Sequence, residues 1–147
     1  MRLTSFTDFA LRTLMRLAGA PERSFTTEEL ARDFGVSRHH LTKVVGRLAA
    51  AGVVATRRGG GGGLRLARPA EGVTLGEVVR LLEGRQALVE CFQADGGGCV
   101  LTPGCRLKAP LAAAREAFLR ELDRTTLADC AYAGPLSPGR PEGRPLP

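Results

Sequence analysis

A mainly α fold is predicted for this chain of 147 residues, a helix-turn-helix with a hairpin wing followed by a cysteine loop and a long helix. Three observations predict it. Apolar residues recur at three- and four-residue steps through most of residues 5–52, the period of helices that bury one face. Two short β-prone runs flank five consecutive glycines at 59–63, the pattern of a hairpin. The composition, 44% apolar but only 5% aromatic and without Trp, suits a helical protein rich in Ala and Leu.

In the first helix, residues 5–19, Phe6, Phe9, Ala10, Leu14 and Leu17 form one apolar face. Ser5 is placed as its N-cap with Asp8 in capping-box geometry, and Pro21 ends the segment. Thr26 and Glu29 make a second box ahead of Leu30, Ala31 and Phe34, and Gly35 stops that short helix. Ser37 then caps a third helix with an inward stripe of Leu41, Val44, Val45, Leu48 and Ala49, ended by Gly52. The turn Gly35-Val36-Ser37 has helix-turn-helix spacing. Arg38, His39, His40, Thr42, Lys43 and Arg47 face outward from the third helix, all able to donate hydrogen bonds to bases or phosphates. The N-terminal part of such a helix enters the major groove of DNA, which places Arg38, His39, His40 and Lys43 there.

Residues 53–58 and 64–67 read as the two strands of the wing. Arg57 and Arg58 bring charge to the glycine loop, where an Arg inserted into a narrow minor groove is a common use of a wing. Pro69 closes this domain. Charge agrees with that division: residues 1–70 hold 12 Lys/Arg against 5 Asp/Glu, whereas residues 71–147 hold 9 against 10. The net charge of +6 therefore belongs to the first half and points to a polyanion partner.

Thr74 and Glu77 open a helix that runs through Val78, Val79, Leu81 and Leu82 to about Gly84. Cys91, Cys99 and Cys105 follow at C-x7-C-x5-C spacing, in a stretch loosened by Gly96, Gly97, Gly98, Pro103 and Gly104. Flexible backbone lets three thiolates turn toward one point, and three soft sulfurs suggest a metal or iron–sulfur site. Zinc also accepts three thiolates with an oxygen or nitrogen, so a zinc-stabilised loop stays open. From Leu107 onward, Leu107, Leu111, Ala114, Phe118 and Leu122 recur near a 3.5-residue period, suited to a helix–helix seam in a homodimer. Cys130 has no partner at ligand spacing and reads as a small apolar residue. Residues 134–147 carry five of the nine prolines and are expected to be disordered.

Asp8, Arg12 and Arg16 interrupt every run that could act as a signal segment, and no stretch reaches the length of a membrane span. A cytoplasmic protein with reduced cysteines is expected. The chain lacks C-x-x-C, any nucleophile–base pair and a phosphate-binding loop, the glycines at 59–63 having no Lys and Ser/Thr after them, which argues against an enzyme.

Several separate motifs now carry a resemblance. Met-Arg-Leu-Thr-Ser-Phe-Thr-Asp-Phe-Ala-Leu-Arg at 1–12, His40-Leu-Thr-Lys-Val-Val45, Gly-Gly-Gly-Leu-Arg-Leu-Ala-Arg-Pro at 61–69 and Leu75-Gly-Glu-Val-Val79 resemble the Rrf-type winged-helix repressors. Asp8, Ala87-Leu-Val-Glu-Cys-Phe92 and Cys99-Val-Leu-Thr-Pro-Gly-Cys105 are most similar to the nitric-oxide-sensing branch of that family. The resemblance implies a homodimeric repressor of operator DNA with one iron–sulfur cluster per subunit, of the 4Fe-4S type with 2Fe-2S as the alternative. It implies that Cys91, Cys99 and Cys105 ligate the cluster, with Asp8 of the partner subunit as fourth ligand. A cluster-supply branch instead carries a His three residues after its last Cys, where this chain has Lys108. Asp8 equally suits the capping box with Ser5, an i,i+4 pair with Arg12 and the helix dipole. The implied function is release of DNA when nitric oxide attacks the cluster. Relatives that respond to iron or redox state keep the same three cysteines and are the alternative. The resulting organisation is a DNA-binding domain at 1–70, a connecting helix and iron–sulfur loop at 71–106, a dimerisation helix at 107–130 and a disordered tail at 131–147.

Overall fold

Helix α1 (Ser5–Ala18) is capped by Thr4 and not by Ser5. The computed structural model, which describes residues 2–57, 59, 62–84, 86–101 and 104–136, gives Thr4 an extended backbone, and its Oγ1 accepts a hydrogen bond from the Thr7 N–H at 3.2 Å. Ser5 is already helical, so the expected Ser5–Asp8 box does not form. Ala10, Leu14 and Leu17 make the inward stripe, but its other buried members are Thr7 and Thr13, while Phe6 and Phe9 lie half-buried at the edge. The Thr13 hydroxyl donates to the Phe9 carbonyl at 2.8 Å and the Thr7 hydroxyl donates to Glu83. With its oxygen satisfied, a threonine presents a methyl group to the core much as valine does.

Helices α2 (Thr27–Phe34) and α3 (Arg38–Ala50) make the helix-turn-helix. Thr26 accepts from the Glu29 N–H at 3.0 Å, while the Glu29 carboxylate pairs with Arg23 instead of closing the box. Gly35 ends α2 at φ 65°, a left-handed conformation that costs glycine nothing and turns the chain toward α3. Leu41, Val44, Val45 and Leu48 bury the inner face of α3. They meet Leu14, Phe25 and Leu30 in one core, where each large apolar side chain contributes about 1.5–3 kcal/mol.

Strands β1 (Val54–Arg57) and β2 (Gly63–Leu66) pair antiparallel, with Val54 opposite Leu66 and Arg57 opposite Gly63. Phe25 exchanges two backbone hydrogen bonds with Leu64, at 3.1 and 2.7 Å, which fastens the wing to the segment leading into α2. The tip includes residues 58, 60 and 61, so Arg58 lies outside the described residues.

Helix α4 (Leu75–Glu83) packs on α1 and on α5 (Lys108–Leu122). Gly76 lets α4 and α5 approach: a Cβ there would lie 2.0 Å from Asp123 Oδ1. Asp123 in turn takes a two-pronged grip from Arg80, at 2.5 and 2.6 Å. The helix of the 107–130 segment stops at Leu122 because the chain then doubles back. Thr126 pairs with Thr74, Leu127 N–H donates to the Val73 carbonyl at 2.9 Å, and the Leu127 side chain is fully buried. Asp129 closes this turn by accepting from the N–H and hydroxyl of Thr126. Residues 131–136, expected in the disordered tail, lie against α1: Tyr132 N–H donates to the Met15 carbonyl and Arg16 reaches the carbonyls of Tyr132 and Gly134. Residues 137–147 fall outside the described set. Among the described residues no helix is long and apolar enough to cross a membrane.

Candidate nucleic-acid interface and cysteine loop

The first turns of α3 collect the residues expected to meet DNA. Ser37, Arg38, His39, Thr42, Lys43 and Arg47 are all exposed. Ser37 caps the helix by accepting from the His40 N–H at 3.2 Å, and the Thr42 hydroxyl donates back to the Arg38 carbonyl at 2.8 Å. Arg38 lies 3.8 Å from Glu28 in a loose pair between two well-exposed side chains, a contact worth little in water. Arg47 donates to the Leu81 carbonyl at 3.3 Å, which ties the far end of α3 to α4. Arg57, also exposed, ends β1 at the wing.

His40 is placed differently from its neighbours. Its ring is half-buried and turned to α1, meeting Phe9 edge-on at 5.5 Å and Phe6 at 6.1 Å. Helical spacing alone did not distinguish it, since position 40 borders the inward stripe that begins at Leu41.

Cys91 sits in a short 3-10 turn, Glu90–Phe92, and Cys99 and Cys105 lie in irregular chain beyond it. All three are free and half-buried, as is Cys130. Glu90 holds the loop by accepting from the Gly98 N–H at 3.0 Å, and Asp95 accepts from the Gly97 N–H at 3.0 Å. Between the second and third cysteines, Val100 and Leu101 are 90% and 67% exposed, leaving this part of the loop uncovered by its own chain. Asp8 stands on the first turn of α1, 47% exposed, gripped by Arg12 at 2.7 and 3.1 Å. The structure thus brings neither the three thiols nor Asp8 together: among the described residues no group of three or more His, Cys, Asp or Glu is placed to hold a metal ion. As a donor set they nevertheless fit iron, three soft sulfurs on one irregular loop and a hard carboxylate on an accessible helix face.

One residue absent from the sequence reading joins these two regions. Glu83, at the end of α4 and eight positions before Cys91, accepts from the Thr4 N–H at 2.8 Å, the Thr4 hydroxyl at 2.7 Å and the Thr7 hydroxyl. Burial pushes the Glu83 carboxyl up, but the hydrogen bonds from Thr7 and Thr4 outweigh it and hold the group below the usual glutamate range. No spacing rule links positions 4, 7 and 83; the only local trace is a pair of hydroxyls one helical turn apart.

A short cationic helix behind a three-residue turn, beside a two-stranded wing, defines a winged helix-turn-helix regulator of transcription that binds DNA. The chain belongs to the Rrf2 family, whose model, described as an iron-dependent transcriptional regulator, matches residues 3–133. It is 50% identical over 131 residues to the HTH-type transcriptional regulator NsrR of Geobacillus kaustophilus (strain HTA426), covering 88% of each chain. Its fold matches CymR, the global cysteine regulator of B. subtilis, with a TM-score of 0.72 and 29% identity over 89% of this chain and 96% of that one. IscR of T. potens shares the fold at a TM-score of 0.69 and 23% identity, over 88% and 85% of the two chains. NsrR and CymR are regulators, and this protein is a regulator and not an enzyme.

Proposed function

We propose that this protein is a cytoplasmic iron–sulfur-dependent repressor, acting as a homodimer on operator DNA and releasing it when nitric oxide reaches the cluster. The observation that carries the reading is the 50% identity to NsrR across 88% of both chains. Cys91, Cys99 and Cys105 would hold a cluster, 4Fe-4S in this reading, with Asp8 of the partner subunit as fourth ligand. Bound there, the cluster supplies iron that takes nitric oxide. The chain's own part is to present the thiolates, to surrender Asp8 from Arg12, and to hold the two DNA-reading helices at fixed spacing. A dimer reads half-sites about one helical turn apart, so a shift of a few Å in that spacing removes specific binding.

Arg38, His39 and Lys43 would meet base edges and phosphates in the major groove, flanked by Ser37, Thr42 and Arg47, with Arg57 and Arg58 at the minor groove. The apolar residues Leu107, just before α5, and Leu111, Ala114, Phe118 and Leu122 on it form the seam with a second copy. Response to iron supply is the second reading, favoured by the family's description as iron-dependent. Anaerobic isolation, spectroscopy and titration with nitric oxide separate the two. Operator binding that persists after several equivalents of nitric oxide per cluster sinks the first reading.

A further inference from the structure

After α5 the chain doubles back, and residues 131–136 lie as a strap along the C-terminal end of α1. Gly19, which ends α1, permits this approach: a Cβ there would lie 2.3 Å from the Tyr132 carbonyl carbon and oxygen and 2.7 Å from the Ala133 nitrogen. The Tyr132 N–H donates to the Met15 carbonyl at 3.0 Å. Arg16 completes the fastening. Its Nη1 donates to the carbonyls of Tyr132 at 3.3 Å and Gly134 at 3.0 Å. The same guanidinium stands 5.9 Å from the centroid of the Tyr132 ring and 5.8 Å from that of Phe25. Arg16 Nε is buried without a partner among the described residues, a cost that the strap carbonyls and the two rings offset. A planar guanidinium can stack and donate at once, which an ammonium cannot. Phe25 is 1% exposed, and its backbone exchanges with Leu64 the two hydrogen bonds that fasten the wing. Leu64 lies opposite Thr56, the residue before Arg57. The strap, Arg16, Phe25 and Leu64 therefore form one continuous support that ends at the hairpin carrying Arg57.

We propose that Arg16 is a positioning residue for the wing, clamped against Phe25 by the strap, and that the segment returning from α5 thereby sets where Arg57 meets DNA. With the strap in place, its carbonyls hold the guanidinium by Phe25, and the Phe25–Leu64 pair holds the base of the hairpin to the helix-turn-helix. With the strap displaced, Arg16 turns to solvent. Phe25 keeps Arg23, 4.5 Å from its centroid, but loses Arg16, and the hairpin pivots at its base. The recognition helix is seated separately, by Leu41, Val44 and Leu48 in the core, so the effect is confined to the wing. The DNA end of this support rests on the proposed reach of Arg57 to the minor groove; the clamp itself does not.

The test uses the full chain, isolated anaerobically, and a duplex selected by the wild-type protein from a randomised pool. Arg16→Ala removes the clamp, and Gly19→Ala displaces the strap without changing a charge. In DNA-free protein both should speed amide hydrogen exchange at Phe25 and Leu64 about tenfold and leave Val44 and Leu48 as in wild type. Unaltered exchange at Phe25 and Leu64, or equal acceleration throughout, overturns the clamp. Both variants should bind DNA about fivefold more weakly. Arg57→Ala should cost wild type about fivefold but either variant less than about twofold, while Lys43→Ala costs the same in all three backgrounds. Losses at Arg57 that multiply strictly, or a cost of Lys43→Ala that shrinks as well, overturn the assignment. Weaker binding in Arg16→Ala and not in Gly19→Ala would mark Arg16 as a DNA contact and do the same. Should either variant fail to fold, Tyr132→Ala, which takes one ring from Arg16, replaces it. Arg57→Ala without effect in wild type would instead remove the reach of the wing to DNA while leaving the exchange result standing, so the two failures are distinguishable.

Discussion

Glu83, the last residue of α4, accepts hydrogen bonds from both the N–H and the hydroxyl of Thr4, the residue that caps α1. The cap is itself held from outside. The helix carrying Asp8 is thereby tied to the helix that leads into the cysteine loop of the same chain. Glu83→Gln leaves one neutral acceptor where a carboxylate took three hydrogen bonds, and should lower stability by about 1.5–3 kcal/mol in urea unfolding near neutral pH. Because the folded protein holds this carboxyl below its ordinary range, its contribution is present above the unfolded-state pKa and lost as pH falls through the depressed folded value. The gap between wild type and Glu83→Gln should therefore narrow on acidification. A gap that is constant with pH would mean that the charge plays no part.

How much of this was legible in the sequence differs by region. The helix-turn-helix was legible because each signal is local: Thr26, Gly35 and Ser37 sit where their caps and turn require them. The inward face of α1 was only half legible, since Thr7 and Thr13 are polar by type and become core residues once their hydroxyls are bonded. The return of the chain after Leu122 depends on pairing between Thr126 and Thr74, a contact between distant positions. Its one local trace was Thr126 with Asp129 three residues later, a turn closed by side-chain bonds. The cysteines declared their chemistry through type and spacing, but one chain's fold does not gather them.

Gly76 is a packing requirement. A Cβ at that position would lie 2.0 Å from Asp123 Oδ1 and 2.9 Å from the Leu119 carbonyl oxygen, and the second of these belongs to helix backbone that has no rotamer to move. Gly76→Ala should push α5 from α4 and cost about 1–3 kcal/mol, as overpacking typically does. Thermal denaturation reads it as a lowered Tm. An unchanged or raised Tm would place the two helices further apart than described.

Replacing Cys91, Cys99 or Cys105 by Ala one at a time should each abolish stable iron and acid-labile sulfide in anaerobically isolated protein. Cys130→Ala should keep both at wild-type content. Colourless wild-type protein that contains zinc and no sulfide would instead favour a zinc-stabilised loop.

Arg57 and Lys43 differ from Arg47 in having no hydrogen bond or ion pair among the described residues, whereas Arg47 is engaged with the Leu81 carbonyl. Each of Arg57→Ala and Lys43→Ala should weaken DNA binding and reduce the slope of log affinity against log salt by about 0.9, the value for one lost phosphate contact. An unaltered slope counts against a phosphate contact at that position.

Helix α5 has apolar residues on two sides, and its own chain covers one. Leu119 is buried at 6% exposure where α5 packs on α4, while Leu107, just before the helix, remains 61% exposed and Phe118 36%. A helix with one bare apolar stripe lowers its free energy by pairing, and a near-3.5-residue repeat keeps that stripe on one side of the axis over several turns. Phe118→Glu places a charge in the middle of the proposed seam without touching the Leu119 contact. Sedimentation should therefore show wild type as a dimer and Phe118→Glu shifted to monomer, with helical content unchanged. Operator affinity should fall with dimerisation, because a monomer reaches one half-site only. A wild-type chain that sediments as a monomer at micromolar concentration would remove both the seam and the proposed placement of Asp8 in the partner's site.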